Sequence, residues 1–390
     1  MELASRINKL SPSVTMAITA LGKKLTDQGR DILSFSFGEP DFNTPDVIKE
    51  AAIKAIKDGH TKYTAVEGIT ETKQAIINKL KRDHDLKYKL EHVVISNGAK
   101  HSLFNLFQLL IQKDDEVIIP APYWVTYPEL VKYADGIPVF IPSDDSSNFK
   151  VTAQQIKDAL TSKTKVLILN SPSNPTGAVY TKEELTAIGK VLEGTDIMVF
   201  SDEMYEKIIY DGQKFTATAE VSTDMFERTV TINGLSKAVA MTGWRFGYMA
   251  TPKTQLVKAM IKLQGQSTSN INSITQHAAI VALDGYADEN IVEMTQEFKN
   301  RRNIAIEQFN AIEGISCVKP DGAFYLFVNI SGISNDSMTF CSQLLEEQGV
   351  LVVPGLAFGA EGYFRFSFAT DLASIEEGIK RVREFVIKTK

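Results

Sequence analysis

A lysine and an arginine lie close together among small residues between positions 233 and 248. Lys237 follows Ser236 directly, and Arg245 comes eight residues later in a Met-Thr-Gly-Trp-Arg-Phe-Gly-Tyr run. Lysine is the side chain that forms a Schiff base with carbonyl compounds, and arginine offers phosphate a planar, permanently charged donor. On these residues alone, the favoured interpretation is a surface lysine at a strand end and a structural arginine. The rest of the sequence reverses that preference.

Five polar clusters, that of Lys237 included, follow short apolar runs that are typical of buried strands. The runs at residues 93–95, 116–119, 165–169, 197–200 and 229–232 lead in turn into Gly98-Ala99-Lys100, Trp124, Asn174, Asp202 and Ser236-Lys237. Near-continuous apolar strands that alternate with helices predict an α/β fold with a mostly parallel central sheet covered on both faces. Ligands in such sheets bind beyond the carboxyl ends of the strands. The five clusters therefore predict one convergent site.

Apolar periodicity and turn residues predict the helices that position these clusters. The predicted helices span residues 16–28, 45–57, 70–83, 102–112 and 290–312. Thr44 is the expected N-cap of the second helix, and a capping box of Thr181 and Glu184 predicts a further helix. The long charged helix after residue 285 is followed by a smaller α+β region. We expect a large domain at residues 45–285 and a small domain formed by residues 1–44 together with 286–390.

Composition and charge are those of an ordinary soluble globular protein of 390 residues. The net charge of −6 offers no basic footprint for nucleic acid or for an anionic membrane surface. The two cysteines lack Cys-x-x-Cys spacing, which favours a reducing compartment, and no signal peptide or transmembrane run is recognisable. We therefore expect a cytoplasmic protein without nucleic-acid or membrane partners. The five histidines are scattered, so no metal site is predicted.

Residues 363–368 alternate cleanly, which places Arg365 and Ser367 on one face of a strand and three phenylalanines on the other. An arginine there is either an exposed charge or an anion-binding group, and the strand pattern alone favours the exposed charge. The Gly38-Glu39-Pro40-Asp41-Phe42 stretch is different, because its dense turn residues predict a loop.

Taken in order, these motifs resemble class I pyridoxal-phosphate aminotransferases of fold type I, and among them the bacterial aspartate aminotransferase branch. Each motif alone has low to moderate specificity, but the ordered set spans essentially the whole chain. The motifs are Gly38-Glu39-Pro40-Asp41-Phe42, Asn174-Pro175-Thr176-Gly177, Asp202-x-x-Tyr205, Ser236-Lys237 with the run at 241–248, and Phe364-Arg365-Phe366-Ser367.

The resemblance implies a covalently bound pyridoxal phosphate. Lys237 is then the catalytic residue, which holds the cofactor and shuttles a proton between the substrate Cα and the cofactor. Asp202 pairs with the ring nitrogen, and Trp124 stacks on the ring. Tyr205 and Asn174 donate to the phenolic oxygen. Structural alternatives stay open: an N-cap for Asp202, a turn former for Asn174 and a core position for Trp124.

The resemblance also implies a phosphate site. The backbone of Gly98, Ala99 and Lys100 at a helix start would bind the phosphate. Ser236 and Arg245 would complete that site. Tyr63 resembles the residue that reaches the phosphate of the neighbouring subunit, so a homodimer is implied.

Substrate binding is the least determined part of the resemblance. Arg365 would bind the substrate α-carboxylate, with help from Asn174 and the backbone of Gly38. The better-known branch binds the distal carboxylate with an arginine from its partner, but residues 265–273 contain none. Lys100 would serve instead, assisted by hydroxyls such as those of Ser13 and Thr15, although a solvated lysine at a helix start is equally supported.

These roles predict an enzyme that transfers the amino group of L-aspartate to 2-oxoglutarate by a ping-pong mechanism. Aromatic, alanine or branched-chain aminotransferases and a β-lyase are the alternatives within the fold. Some relatives accept prephenate and carry a basic residue just before Pro12, where this chain has Ser11. A pyridoxal-phosphate-binding transcription regulator belongs to a different class and needs a basic DNA-binding domain at its N-terminus. Only about forty residues precede the Gly38 loop here, which argues against that class. A non-catalytic scaffold is equally disfavoured, because Lys237 and Arg365 are both present.

Overall fold

The computed structural model describes residues 1, 3–11 and 14–389, without the side chains of residues 14 and 15. Ser13 and the side chain of Thr15, which the sequence places near the substrate, lie outside the described residues. Among the helices of the described ranges, none has the length and apolar character needed to cross a membrane.

The described part of the chain contains thirteen α-helices and thirteen strands, together with five short 3₁₀ helices. The helices are α1 (Val14–Asp27), α2 (Asp46–Lys57), α3 (Thr70–His84), α4 (Ala99–Leu110), α5 (Thr126–Tyr133), α6 (Ala153–Ala159), α7 (Lys182–Leu192), α8 (Thr223–Arg228), α9 (Thr254–Ser267), α10 (Ser273–Leu283), α11 (Asp288–Asn310), α12 (Ser337–Gln348) and α13 (Leu372–Thr389). The strands are β1 (Leu33–Ser34), β2 (Val93–Asn97), β3 (Glu116–Ala121), β4 (Ile137–Pro142), β5 (Thr164–Asn170), β6 (Met198–Asp202), β7 (Thr229–Gly234), β8 (Phe246–Ala250), β9 (Ser316–Cys317), β10 (Tyr325–Asn329), β11 (Val350–Leu351), β12 (Val353–Pro354) and β13 (Tyr363–Ser367).

Seven strands form the central sheet, in the order β2-β8-β7-β6-β5-β3-β4. All neighbours pair in parallel except β8, which runs antiparallel to both β2 and β7. The predicted α/β fold with a mostly parallel sheet is therefore confirmed. Two of its strands, β4 and β8, were not predicted. Pro138 and Pro142 in β4 cannot donate to a neighbour, and β4 accordingly lies at the edge of the sheet.

Helices cover both faces of this sheet, as the alternation of strand side chains requires. On β2, Val94 packs into the core cluster that includes Leu106 of α4. The next residue, Ile95, packs into the opposite cluster with Ile76 of α3. A one-residue step along the strand thus separates the two cores.

A smaller antiparallel sheet, in the order β12-β13-β10-β9, is formed by the carboxyl-terminal part of the chain. The amino-terminal strand β1 pairs in parallel with β11, with Leu33 opposite Val350 and Ser34 opposite Leu351. The proposed division into residues 45–285 and the two terminal parts stays a prediction.

Four helix starts differ from the sequence-based prediction: α1 and α11 begin two residues earlier than predicted, and α2 and α4 differ for local reasons. Helix α4 begins at Ala99 rather than at residue 102, since Gly98 takes φ = 84° and acts as its N-cap. Thr44 is not the N-cap of α2, because Pro45 holds that position and the Thr44 hydroxyl donates to the Ala240 carbonyl at 2.7 Å. The capping box of Thr181 and Glu184 is confirmed, with backbone-to-side-chain bonds of 2.8 and 3.2 Å.

Candidate active site

A cavity of about 870 Å³ lies at the carboxyl ends of the central strands and is also lined by β10 and β13 of the smaller sheet. The polar clusters predicted from the five strands converge on it. Of the predicted site residues, its lining contains Gly38, Ala99, Lys100, Trp124, Asn174, Asp202, Tyr205, Ser236, Lys237, Arg245 and Arg365. Gly98 and Tyr63 do not line the cavity.

Lys237 follows β7 and extends into the cavity rather than into solvent. Its Nζ donates a hydrogen bond to the carbonyl of Gly38. Burial lowers the pKa of Lys237 to about 8, although the Glu39 carboxylate opposes that change. The interpretation as a surface lysine, which the local sequence favoured, is therefore wrong. An amine with this pKa is neutral in a substantial fraction of molecules near neutral pH, as a nucleophile or a base must be.

Asp202 is the last residue of β6 and is only 6% exposed. Its Oδ2 accepts a hydrogen bond from the hydroxyl of Tyr127 at 2.7 Å, and its Oδ1 accepts one from the backbone of Met204 at 3.3 Å. Burial raises the pKa of Asp202, and the bond from Tyr127 counteracts that rise. A buried carboxylate held in this way is suited to a cationic N–H group of a ligand.

Arg365 lies in β13 and is 5% exposed, so the prediction that its strand pattern favoured, an exposed charge, is wrong. Its Nη1 donates to the side-chain oxygen of Asn174 at 2.9 Å, and its Nη2 donates to the carbonyl of Ser36 at 2.8 Å. Nε is buried without a hydrogen-bond partner, and within the described ranges the guanidinium bonds to an amide oxygen and a backbone carbonyl rather than to a carboxylate. A buried, unpaired cation is costly unless an anionic ligand completes it.

Two further predicted residues are held in place by side chains around Arg365. The hydroxyl of Tyr205 lies 2.9 Å from that of Tyr325, and the ring of Tyr325 lies under the Arg365 guanidinium at 4.5 Å. The backbone N–H of Asn174 donates to the side-chain oxygen of Asn170 at 2.9 Å. Asn174 and Tyr205 are thereby fixed beside the cavity.

The opposite end of the cavity is suited to an anion. The positive φ of Gly98 turns the chain into α4, whose first residues, Ala99 and Lys100, line the cavity. The start of a helix is a favourable place for an anion. A Cβ at Gly98 would collide with the guanidinium of Arg245, and one at Gly247 would collide with the backbone of Gly98 and Ala99. Main chain and cation therefore approach each other closely at this point.

Lys100 and Trp124 lie against one another on the cavity wall, with Nζ 4.8 Å from the centre of the ring. Burial, with a contribution from the nearby Arg245, lowers the pKa of Lys100. In the described part of the chain, Lys100 has no carboxylate partner, which distinguishes it from Lys132 on the same wall. Lys132 pairs with Glu129 at 3.0 Å.

Tyr63 is 91% exposed and lies in the loop between α2 and α3, outside this cavity. Its predicted role involves the neighbouring subunit and remains a prediction.

Sequence reasoning missed two residues of the site. Tyr127, the partner of Asp202, carried a signal, because it follows Trp124 by only three residues, and the two rings pack edge to face at 5.4 Å. Tyr325 carried none, since its position under Arg365 results from the antiparallel pairing of β10 with β13.

The donors around the cavity fit pyridoxal phosphate. A buried amine of lowered pKa suits the aldehyde, and the carboxylate of Asp202 suits the ring nitrogen. The α4 start with Ser236 and Arg245 suits the phosphate. The unpaired Arg365 remains available for a second anion.

Comparison with known proteins agrees with this geometry. Residues 30–382 match the family described as aminotransferase class I and II. An aspartate aminotransferase of Bacillus subtilis is 47% identical over 100% of both chains. A probable aspartate/prephenate aminotransferase of Rickettsia bellii is 47% identical over 97% of this chain and 98% of that protein. The crystal structure of an aspartate aminotransferase from Rhizobium meliloti has a TM-score of 0.96 and 40% identity, and covers 99% of each chain. The chain therefore belongs to the class I and II aminotransferases, a family of enzymes that use pyridoxal phosphate.

Proposed function

We propose that this protein is an aspartate aminotransferase that transfers the amino group of L-aspartate to 2-oxoglutarate, giving oxaloacetate and L-glutamate. The observation that carries the proposal is Arg365, a buried guanidinium without a carboxylate partner in the described part of the chain, in the same cavity as Lys237. Relatives with 45% to 47% identity over nearly the whole chain are named aspartate or aspartate/prephenate aminotransferases, which supports the choice of substrate.

When bound, pyridoxal phosphate supplies a carbonyl carbon for an amine and a ring that withdraws electrons from the substrate Cα. Lys237 would attach the cofactor and later, as a free amine, take the proton from the substrate Cα and deliver it to the former aldehyde carbon of the cofactor. Asp202, aligned by Tyr127, keeps the ring nitrogen protonated, while Asn174 and Tyr205 bind the phenolic oxygen. Trp124 packs on the ring. The phosphate is bound by Gly98, Ala99 and Lys100 at the start of α4, with Ser236 and Arg245.

In this proposal, Arg365 binds the α-carboxylate together with Asn174, which already accepts its Nη1 bond. The backbone of Gly38 completes that end of the site. Lys100 binds the distal carboxylate of aspartate, because its ammonium group lines the cavity without an ion-pair partner in the described ranges. Two cationic side chains that line one cavity would then select a dicarboxylate.

We also propose that the enzyme is a homodimer of chains with a large domain (45–285) and a small domain (1–44 with 286–390). The 91% exposure of Tyr63 supports the dimer, because a large aromatic side chain in an open loop is available to a neighbouring subunit. The separate four-stranded sheet supports the small domain.

Prephenate is a second candidate substrate, favoured by the name of the Rickettsia bellii relative. Prephenate also carries two carboxylates, so the same cationic ends would suit it. Ser11, where some relatives carry a basic residue, argues against it.

The test is a spectroscopic titration of the purified protein loaded with pyridoxal phosphate. Aspartate should convert the visible absorbance of the lysine-bound cofactor to that of the aminated form, and 2-oxoglutarate should reverse the change. Borohydride reduction followed by peptide mass spectrometry should place the cofactor on Lys237. Conversion by phenylalanine or alanine as efficient as by aspartate would leave the family assignment intact and remove the proposed substrate.

A further inference from the structure

The loop between β1 and α2, which we call the Gly38 loop, accepts hydrogen bonds from two basic side chains of the cavity, Arg365 and Lys237. The carbonyl of Ser36 accepts a hydrogen bond from Arg365, and the carbonyl of Gly38 accepts one from Lys237. Any displacement of this loop therefore changes the surroundings of both side chains. The loop is itself short of regular structure, so side chains from elsewhere must fix its position.

One side of the loop is held by the segment that carries Lys237. The Thr242 hydroxyl donates to the carboxylate of Glu39 at 2.8 Å. The Thr44 hydroxyl donates to the carbonyl of Ala240 and accepts a bond of 3.0 Å from Trp244 Nε1.

The other side is held by α11, in which Phe298 packs edge-on against Phe42. The charged contact to the loop comes from Arg301, which does not line the cavity. Its Nη1 donates to both oxygens of Asp41, at 2.9 and 3.0 Å, and its Nε donates to Glu297 at 2.8 Å. The guanidinium also lies over the rings of Phe42 and Phe298, at 5.4 and 5.7 Å. Arg301 is 7% exposed, whereas the carboxylates of Asp41 and Glu297 are partly open to solvent.

We propose that Arg301 is a positioning residue for the reaction. Through Asp41 and Phe42 it fixes the Gly38 loop in the position in which the loop backbone and Arg365 together accept the substrate α-carboxylate. This inference rests on the proposed function of Arg365. Arginine is suited to this role, because its planar guanidinium donates to Asp41 and Glu297 from separate nitrogens while it lies near two rings. A lysine keeps the charge but has a single donor nitrogen and no planar group to lie near the two rings.

The chain contains a matched control in the adjacent residue. Arg302 is fully buried, and it donates to Asp211 at 2.8 Å and to the carbonyl of Pro320 at 2.9 Å. Its guanidinium lies over the ring of Tyr210 at 4.5 Å. Arg302→Lys therefore disturbs an ion pair and a cation–π contact of the same helix without touching the Gly38 loop.

The experiment measures the dissociation constant of succinate, an unreactive dicarboxylate, on the cofactor-loaded enzyme, with amide hydrogen exchange of residues 36–44 measured with and without cofactor. We expect Arg301→Lys to weaken succinate binding about tenfold, which corresponds to about 1.4 kcal/mol. Exchange of the loop should become faster. The KM for aspartate should rise by a similar factor while kcat changes little, a division that a general loss of stability does not produce. Arg302→Lys should leave the succinate constant and the loop exchange near the parent values.

A double-mutant cycle tests whether Arg301 acts through the loop. Asp41→Asn and Arg301→Lys should each weaken succinate binding, and the double variant should be no worse than the more affected single variant. Additive effects, an unchanged succinate constant in Arg301→Lys, or equal effects in Arg302→Lys would each overturn the inference. If Arg301→Lys does not fold, Asp41→Asn at the partly exposed end of the same pair carries the test.

Arg365→Lys separates this inference from the proposed function. Succinate binding that is lost in Arg365→Lys but kept in Arg301→Lys would overturn only the role of Arg301. Succinate binding that is insensitive to Arg365→Lys would overturn the proposed carboxylate site and, with it, the proposed role of the Gly38 loop in carboxylate binding.

Discussion

Arg365 donates a hydrogen bond of 2.9 Å to the side-chain oxygen of Asn174, a residue 191 positions earlier in the sequence. Arg365 belongs to the four-stranded sheet, and Asn174 follows β5 of the seven-stranded sheet. The bond therefore joins the two sheets at the place where we propose the α-carboxylate binds. An incoming carboxylate meets a guanidinium whose orientation is already determined.

Arg365→Lys tests this arrangement. A lysine keeps a positive charge but cannot donate to Asn174, Ser36 and a carboxylate in one plane. We expect kcat/KM for aspartate to fall about a hundredfold, or about 3 kcal/mol, which is the range for truncating a buried charge pair. Steady-state kinetics check it, with Arg302→Lys as the control. A loss below about threefold would contradict the assignment.

Tyr127→Phe removes only the hydroxyl that donates to Asp202 at 2.7 Å. Hydrogen bonds to charged groups contribute about 1.5–3 kcal/mol, so we expect the affinity for pyridoxal phosphate to fall by about tenfold or more. Equilibrium dialysis of the cofactor-free protein measures it. Tyr180→Phe is the matched control, because Tyr180 is also buried but its hydroxyl accepts from the backbone of Val151. Equal losses in the two variants would remove Tyr127 from the cofactor site.

Lys100→Ala should discriminate between substrates. Without the ammonium group, conversion by aspartate should weaken about tenfold or more, while conversion by alanine should change little. Lys132→Ala is the control, because Lys132 lines the same cavity but is already paired with Glu129. Absorbance titrations of the loaded enzymes provide the comparison. If the two lysine variants behave alike, the distal carboxylate is bound elsewhere.

Attachment of the cofactor should depend on pH through Lys237. Only the neutral amine attacks a carbonyl carbon, and burial lowers the pKa of this amine to about 8. The rate of pyridoxal phosphate incorporation into cofactor-free protein should therefore rise as the pH is increased towards about 8 and level off above it. Stopped-flow absorbance measures the rate. A rate that keeps rising through pH 10 would indicate an ordinary, solvated lysine.

His84 provides a test of stability against pH. Its Nε2 lies 2.9 Å from Glu206, which also accepts a hydrogen bond from Lys79. Burial alone would lower the pKa of His84, but the carboxylates of Glu206 and Glu220 outweigh it and raise the pKa to about 9 from 6.5. Because the pKa of His84 is higher in the folded than in the unfolded state, protonated His84 contributes its full stabilisation of the fold below pH 6.5. That contribution is lost as the pH rises towards 9.

We therefore expect the melting temperature of the parent to fall relative to that of His84→Gln between these two pH values. The difference should correspond to about 1 to 3 kcal/mol in the free energy of unfolding. Parallel curves would show that His84 is not charged in the folded protein.

Asp83, His84 and Glu206 have the geometry of a metal site, but the ammonium groups of Lys79 and Lys207 already lie against Glu206 and Asp83.

The sequence predicted the central sheet well, because parallel buried strands leave long apolar runs that need no knowledge of their partners. It missed β8, whose residues 246–250 follow a dense polar motif and pair antiparallel with two strands. It also placed the start of α4 three residues late, since Gly98 rather than a polar side chain provides the N-cap. Local rules fail where a backbone conformation, not a side chain, begins the element.

In the site, the residues that follow strands were predictable because the sheet brings strand ends together. The burial and the hydrogen-bond partners that give each of these residues its chemistry could not be predicted from the sequence. The burial of Arg365 depends on the pairing of β13 with β10 and β12, and its pattern alone favoured the exposed face. The position of Tyr325 beneath it depends on the same register.

The parallel pairing of β1 with β11 has a consequence for synthesis of the chain. Leu33 leaves the ribosome about 300 residues before its partner Val350 exists. At a translation rate of about 5–20 residues per second, the amino-terminal strand waits for about 15–60 s with its hydrogen-bonding edge open. The Gly38 loop beside it cannot reach its final place until the last fifth of the polypeptide has emerged. Nascent molecules should accordingly acquire the central sheet first and the complete catalytic cavity only after release.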